Sequence, residues 1–334
     1  LGLYEMHING KRVGNEYLTP YCNAYDAWLQ YQTFDVTEHL VHGENDWQVT
    51  LGNGWAKGPF GTFGPANTPY IHDYALLAEC RIDFTDGTQM VIGTGTDWEC
   101  QSSAILEDSI YDGEVYDATH IPSPWVSARS YKPQGLGPVE ERMSPPVVIK
   151  ETIKPIAVLQ TPAGETVLDM GQNMVGWLSI KVKEAKGTTI KLSFGEVLQN
   201  DCFYRDNLRN AKCEFTYTSD GVEREVAPHF TYYGFRYVKV EGMTAPVDLQ
   251  AFTGCVLYSD LETIGHIETS DPLVNRLFLN PLWGQKGNFL DVPTDCPQRD
   301  ERMGWTGDAQ VFFFSSLYNM DAYAFYAKFM RDVY

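Results

Sequence analysis

The chain has 334 residues, 43% of them hydrophobic and 13% aromatic, which supports real cores in two or three domains and excludes a disordered chain. Its 44 acidic against 25 basic side chains leave a formal net charge of −19, which repels phosphate backbones and anionic lipid, so neither nucleic acid nor a membrane surface is an expected partner. Seven cysteines, an odd count with no C-x-x-C pair, point to reduced and mostly buried thiols rather than to a zinc site or a disulfide framework.

From residue 1 to 130, short alternating segments are broken by Ile8-Asn9-Gly10-Lys11, Leu51-Gly52-Asn53-Gly54 and Phe84-Thr85-Asp86-Gly87. Asn-Gly and Asp-Gly accept positive φ and close hairpins, so this stretch predicts an antiparallel β-sandwich of jelly-roll type. Residues 131–146, with Lys132-Pro133-Gln134-Gly135-Leu136-Gly137-Pro138, lack periodicity and read as a linker. Alternation resumes in Trp177–Lys183 and Thr189–Phe194, which predicts a second sandwich over 147–260. The fold class is therefore mainly β.

At Ser270 the period changes to 3.6, opening a helical segment within 261–334. Asp271-Pro272 offers an N-cap and a first-turn proline, and Leu273, Val274, Leu277 and Phe278 share one face. Pro281 removes a backbone donor, which predicts a kink or an early end. Farther on, Thr306 is placed to cap a helix with Ala309, Phe312, Phe313, Ser316 and Leu317 in a stripe, and Asp321 to cap one running through Phe325 and Phe329. No apolar run is long enough to span a bilayer. No signal peptide is visible ahead of the β-like opening at Leu1-Gly2-Leu3-Tyr4, which leaves the compartment open.

Between Asp295 and Asp308 the chain packs four carboxylates, two arginines and a tryptophan into fourteen residues. Charges are costly to bury, so acids interleaved with Pro, Gly and Trp suggest the floor of a polar pocket rather than a solvated loop. An aromatic face and rigid guanidinium forks suit a polyhydroxylated ligand. Elsewhere, Asp112-Gly113-Glu114-Val115-Tyr116-Asp117 has alternating acids that favour turn solvation over calcium. His7, His72 and His120 show no ligand spacing, and Gly93-Thr94-Gly95-Thr96 lacks the context of a dinucleotide loop.

The run Asp295-Cys296-Pro297-Gln298-Arg299-Asp300-Glu301-Arg302-Met303-Gly304-Trp305-Thr306-Gly307-Asp308, with Leu282–Gln285 and Asn288–Thr294 before it, resembles the start of the catalytic domain of bacterial α-L-rhamnosidases, the family 78 glycoside hydrolases. Leu168–Trp177 and Phe230–Val238 are similar to the β-sandwich that precedes the barrel in that family, and Tyr4–Lys11 and Tyr31–Thr37 to its N-terminal accessory sandwich.

The resemblance implies an inverting glycosidase that releases terminal α-L-rhamnose from glycosides or polysaccharides without a cofactor. In it Glu301 is the catalytic acid, Asp295 and Asp308 bind sugar hydroxyls, Trp305 forms an apolar wall and Arg299 orients the carboxylates by bidentate pairing. The residues agree in part: neighbouring Asp300, Asp295 and Asp308 favour a protonated carboxyl, whereas Arg299 and Arg302 oppose it. The resemblance also implies that residues 261–334 open an (α/α)6 barrel whose base lies on a later segment, so the chain is expected to be a piece, silent alone, with Phe312, Phe313, Phe325 and Phe329 left unburied. It further raises calcium near Glu44-Asn45 in the accessory sandwich, where Asn45 more simply satisfies backbone groups. A homodimer is a further possible partner. Two other readings are a carbohydrate-binding module without catalysis and a glycosidase of a related barrel family acting on another sugar.

Overall fold

The computed structural model describes residues 1–58 and 70–334. The first hairpin forms where the turn chemistry places it. Strand β1 (Leu3–Ile8) ends at Asn9 and Gly10, whose φ values of 52° and 73° turn the chain back into Lys11–Arg12. On its other edge β1 pairs antiparallel with β2 (Trp47–Gly52), in register from Leu3 opposite Gly52 to Ile8 opposite Trp47. Asn45 bonds the backbone of Val41 and Gly43 and the side chain of Asn9, closing the loop before β2.

The dominant element is a ten-stranded sheet. It contains β3 (Ile105–Ser109), β4 (Gly113–Asp117), β5 (Val147–Ile153), β6 (Thr166–Val182), β7 (Thr189–Gly195), β8 (Glu214–Thr218), β9 (Tyr233–Glu241) and β10 (Phe252–Ser259), in the order β5-β10-β6-β9-β7-β8-β4-β3. Ala157–Gln160 and Arg224–Val226 pair with the long β6. The sheet does not stop at the linker expected over 131–146. Strands β3 and β4 come from before it, and β4 lies parallel to β8, with Gly113 opposite Glu214. Within the linker itself Val139–Glu141 pairs parallel with Leu29–Tyr31. Alternation signals a strand but not its partner, so these pairings were invisible in the pattern.

The core is continuous from Leu3 and Trp55 through Trp177, Phe194 and Tyr233 to Phe289, Phe325 and Phe329. Phe194 stacks on Tyr233 with ring centroids 3.8 Å apart. The aromatic surplus is thus largely core material.

Three helices follow: α1 (Pro272–Asn288), α2 (Thr306–Asn319) and α3 (Tyr323–Val333). Asp271 caps α1 as expected, accepting from the Leu273 amide at 2.8 Å, with Pro272 in the first turn. The helix runs on through Pro281 instead of ending early, and its last turns are buried, Gly287 against Val175 of the sheet and Gln285 bonded to Ser316 and Asn319 of α2. That tertiary packing offsets the donor lost at the proline. Thr306 is the first helical residue of α2 and not its cap, which is Trp305. Asp321 sits just before Ala322, the N-cap of α3, and accepts from the Tyr323 amide at 3.5 Å. Phe325 and Phe329 are buried and Phe312 and Phe313 half-buried, so the faces expected to lie bare are covered. Exposed apolar side chains on the helices include Leu273 and Leu277 of α1, Val311 and Phe314 of α2, and Tyr323 of α3. Among the described residues no helix is long and apolar enough to cross a membrane.

Candidate active site

The loop from Asp295 to Trp305 lies against the sheet because Gly234 lets it. A Cβ at that position would come 2.8 Å from the Gln298 Cβ and 3.1 Å from its backbone. Any side chain there would lift the loop off β9.

Arg302 anchors it. The residue has φ 48° and is fully buried, with its guanidinium donating to the carbonyls of Ile110 and Tyr232, to the Gln298 carbonyl at 3.3 Å and to the Cys213 sulfur at 3.2 Å. It also lies over the Tyr232 ring, 5.0 Å from the centroid. Burial pushes the Cys213 thiol up, so the sulfur keeps its proton and donates to the Gln298 carbonyl at 3.1 Å. The Tyr111 hydroxyl holds the backbone of the preceding residue, donating to the Glu301 carbonyl at 2.8 Å. Arg302, expected to act on the neighbouring carboxylates, therefore turns its charge into the fold; among the described residues it pairs with no carboxylate.

With its backbone held, Glu301 presents a nearly buried carboxylate, 7% exposed, whose Oε2 takes two guanidinium groups. Arg299 Nε stands 3.0 Å away and Arg209 Nη2, from the second sandwich, 2.6 Å. The expected bidentate pairing of Arg299 is corrected to this single contact. Arg209 Nε also lies 2.8 Å from Asp300, which accepts from Asn210 Nδ2 at 3.2 Å. Glu196, from the sandwich, accepts from Asn173 and Asn207; burial raises its carboxyl, while the Asn173 bond and the charge of Arg299 oppose that.

Asp295 is exposed, and one of its oxygens lies within 4.8 Å of a Glu301 oxygen and of the Cys296 sulfur. This trio has the spacing of a metal site. However, two guanidinium groups already pair with Glu301 through Oε2, and burial together with Asp295 pushes the Cys296 thiol up to about 12, leaving it a protonated donor to Asp295 at 2.9 Å. Asp308 is exposed in the first turn of α2, and Trp305 is half-buried with its Nε1 hydrogen unpartnered among the described residues. The fold thus brings Asp295, Arg299 and Glu301 together and sets Trp305 and Asp308 at the adjoining helix start. Arg209 and Asn210 were missed because they lie about ninety residues away and carry no motif.

Three family models cover the chain in succession: the α-L-rhamnosidase N-terminal domain over residues 1–160, the bacterial α-L-rhamnosidase concanavalin-like domain over 159–258, and the bacterial α-L-rhamnosidase six-hairpin glycosidase domain over 262–334. An α-L-rhamnosidase of Streptomyces avermitilis is 38% identical over 345 residues, an alignment that takes in 100% of this chain and 33% of that protein. The crystal structure of a Streptomyces avermitilis α-L-rhamnosidase complexed with L-rhamnose, 38% identical, superposes with a TM-score of 0.92, covering 98% of this chain and 33% of that one. The native α-L-rhamnosidase of Aspergillus terreus, 36% identical, also gives 0.92 over 99% of this chain and 40% of that chain. The chain spans about a third of the length of the relatives it matches.

Proposed function

Because the chain belongs to the bacterial α-L-rhamnosidase family, we propose that it supplies the proton-donating half of an inverting glycosidase that removes terminal α-L-rhamnose from glycosides or polysaccharides. The observation that carries this reading is the placement of Glu301: a nearly buried carboxyl, held by backbone and side chain, in the loop that matches the family's glycosidase domain. Both guanidinium contacts fall on Oε2, where a proton would point at donors, so the transferable proton belongs on Oε1. Trp305 would face the ring and its methyl group, and Asp295 and Asp308 its hydroxyls.

Inversion needs a second carboxylate roughly 6.5–9.5 Å away, with room for water on the opposite face of the sugar. Asp295 is too close to Glu301 for that and comes from the same loop. Its spacing is nearer to the roughly 5–5.5 Å of a retaining pair, so product stereochemistry is the informative test. The full gene product should cleave an aryl α-L-rhamnoside, leave the matching aryl glucoside intact, and release β-L-rhamnose first by NMR. Release of the α anomer would refute inversion, and cleavage of the glucoside in preference would refute the sugar assignment.

A further inference from the structure

We infer that Arg209, on the second β-sandwich, is a positioning residue for Glu301, so that the sandwich is a working part of the active site and not only its neighbour. The inference rests on the reading of Glu301 as the acid. Its starting point is the backbone. Arg209 follows a short 3-10 turn at Asp206–Leu208 and has φ 58° and ψ −115°, a conformation natural to glycine and strained for any side chain. The strain is held by neighbours that are themselves fixed: Leu208 and Ala211 are buried, Arg209 N bonds the Asp206 carbonyl at 3.3 Å, and the Lys212 amide donates to Asp112 at 3.2 Å.

A glycine would fit the backbone better, so the strained backbone serves the side chain, whose ion pairs among the described residues lie in the site. Nη2 meets Glu301 Oε2 at 2.6 Å and Nε meets Asp300 Oδ1 at 2.8 Å. One planar guanidinium thus hydrogen-bonds Glu301 and stands in ion-pair contact with Asp300, an arrangement of two consecutive carboxylates that a flexible ammonium does not hold. The loop does not need Arg209 to stay in place, since Arg302 and Tyr111 already hold its backbone. What Arg209 adds is control of the Glu301 side chain: with Arg299 it occupies Oε2 and leaves Oε1 to carry the proton toward the leaving oxygen.

The test uses the full gene product with two variants, assayed on a nitrophenyl α-L-rhamnoside, which has a good leaving group, and on methyl α-L-rhamnoside, which has a poor one. Arg209→Gly relieves the backbone and should melt no lower than wild type. It should lose about a hundredfold in kcat on the methyl glycoside, less than about fivefold on the nitrophenyl glycoside, and change KM by less than about threefold. In the Glu301→Gln background it should cost nothing more, because both changes remove the same proton transfer. Arg209→Lys, which keeps a cation but reaches one carboxylate, should lose about tenfold on the methyl glycoside. Equal losses on both substrates, additive losses with Glu301→Gln, or a wild-type rate in Arg209→Lys would overturn the inference while leaving the functional reading intact. A wild-type protein that cleaves neither rhamnoside would overturn both.

Discussion

Lys328→Met should destabilise the whole fold, because Lys328, fully buried, ties the helical segment to the first segment of the chain and to the linker. Its ammonium lies 2.6 Å from Asp291 and 2.9 Å from Asp332 and also donates to the Cys22 carbonyl; Lys328 and Asp291 are both 0% exposed. Asp291 in turn accepts from Ser144 at 2.6 Å and from the Cys22 amide at 3.1 Å, while Asp332 accepts from Trp28 at 3.0 Å. Burial lowers the Lys328 ammonium, but the charges of Asp291 and Asp332 outweigh it and the net shift is upward. Its contribution is therefore complete below the ordinary lysine range and is lost as pH rises through the raised value. Burial pushes the Asp291 carboxyl up, and removing the lysine leaves that cost unopposed. Truncating one partner of such a pair costs about 3–5 kcal/mol. With an unfolding entropy of about 2.1 cal/mol/K per residue, 334 residues give about 0.7 kcal/mol/K, so the melting temperature should fall by about 4–7 °C. Calorimetry at pH 7 measures this directly, and Asp291→Asn combined with Lys328→Met should recover a large part of the loss. A fall of less than about 1 °C, or losses that simply add in the double variant, would refute the argument.

Other outcomes follow from the same geometry. Glu301→Gln should lower turnover by about a hundredfold to ten-thousandfold on a poor leaving group and much less on a good one, with binding by calorimetry nearly unchanged; equal losses on both would show that Glu301 is not the acid. Glu114→Gln should flatten the pH dependence of stability. Burial raises this carboxyl to about 7 against the charge of His229, the amide bonds from His229 and Phe230 being too few to reverse it, and one of its oxygens is buried and unpartnered among the described residues. A folded value above the unfolded one means stability that is present below about pH 4.5 and lost as pH rises through about 7, by about 3 kcal/mol. Urea titrations at pH 5 and 8 should therefore converge in the variant, and unchanged slopes would count against it. Gly234→Ala should lower activity far more than stability by displacing Gln298 and the loop behind Glu301, which a comparison of kcat with melting temperature would reveal.

What the amino-acid order determined by itself was local. Period-two segments and Asn-Gly turns made the strands and the first hairpin, and the change of period at Ser270 with Asp271-Pro272 began α1 where the cap sits. The charged run from Asp295 to Asp308 stood out as a candidate site because so many charges beside Trp and Gly are costly to hold in an ordinary loop. The roles within that run were not legible. Arg302, adjacent to Glu301 in sequence, is turned by a positive φ into the carbonyls of Ile110 and Tyr232, while Arg209, about ninety residues away, reaches the Glu301 carboxylate. Pro281 stayed inside its helix, and strands β3 and β4 joined a sheet built mainly from residues beyond 147. Each of these was decided by contacts between distant segments, whose burial and charge energies exceed the local preferences that periodicity and propensity report.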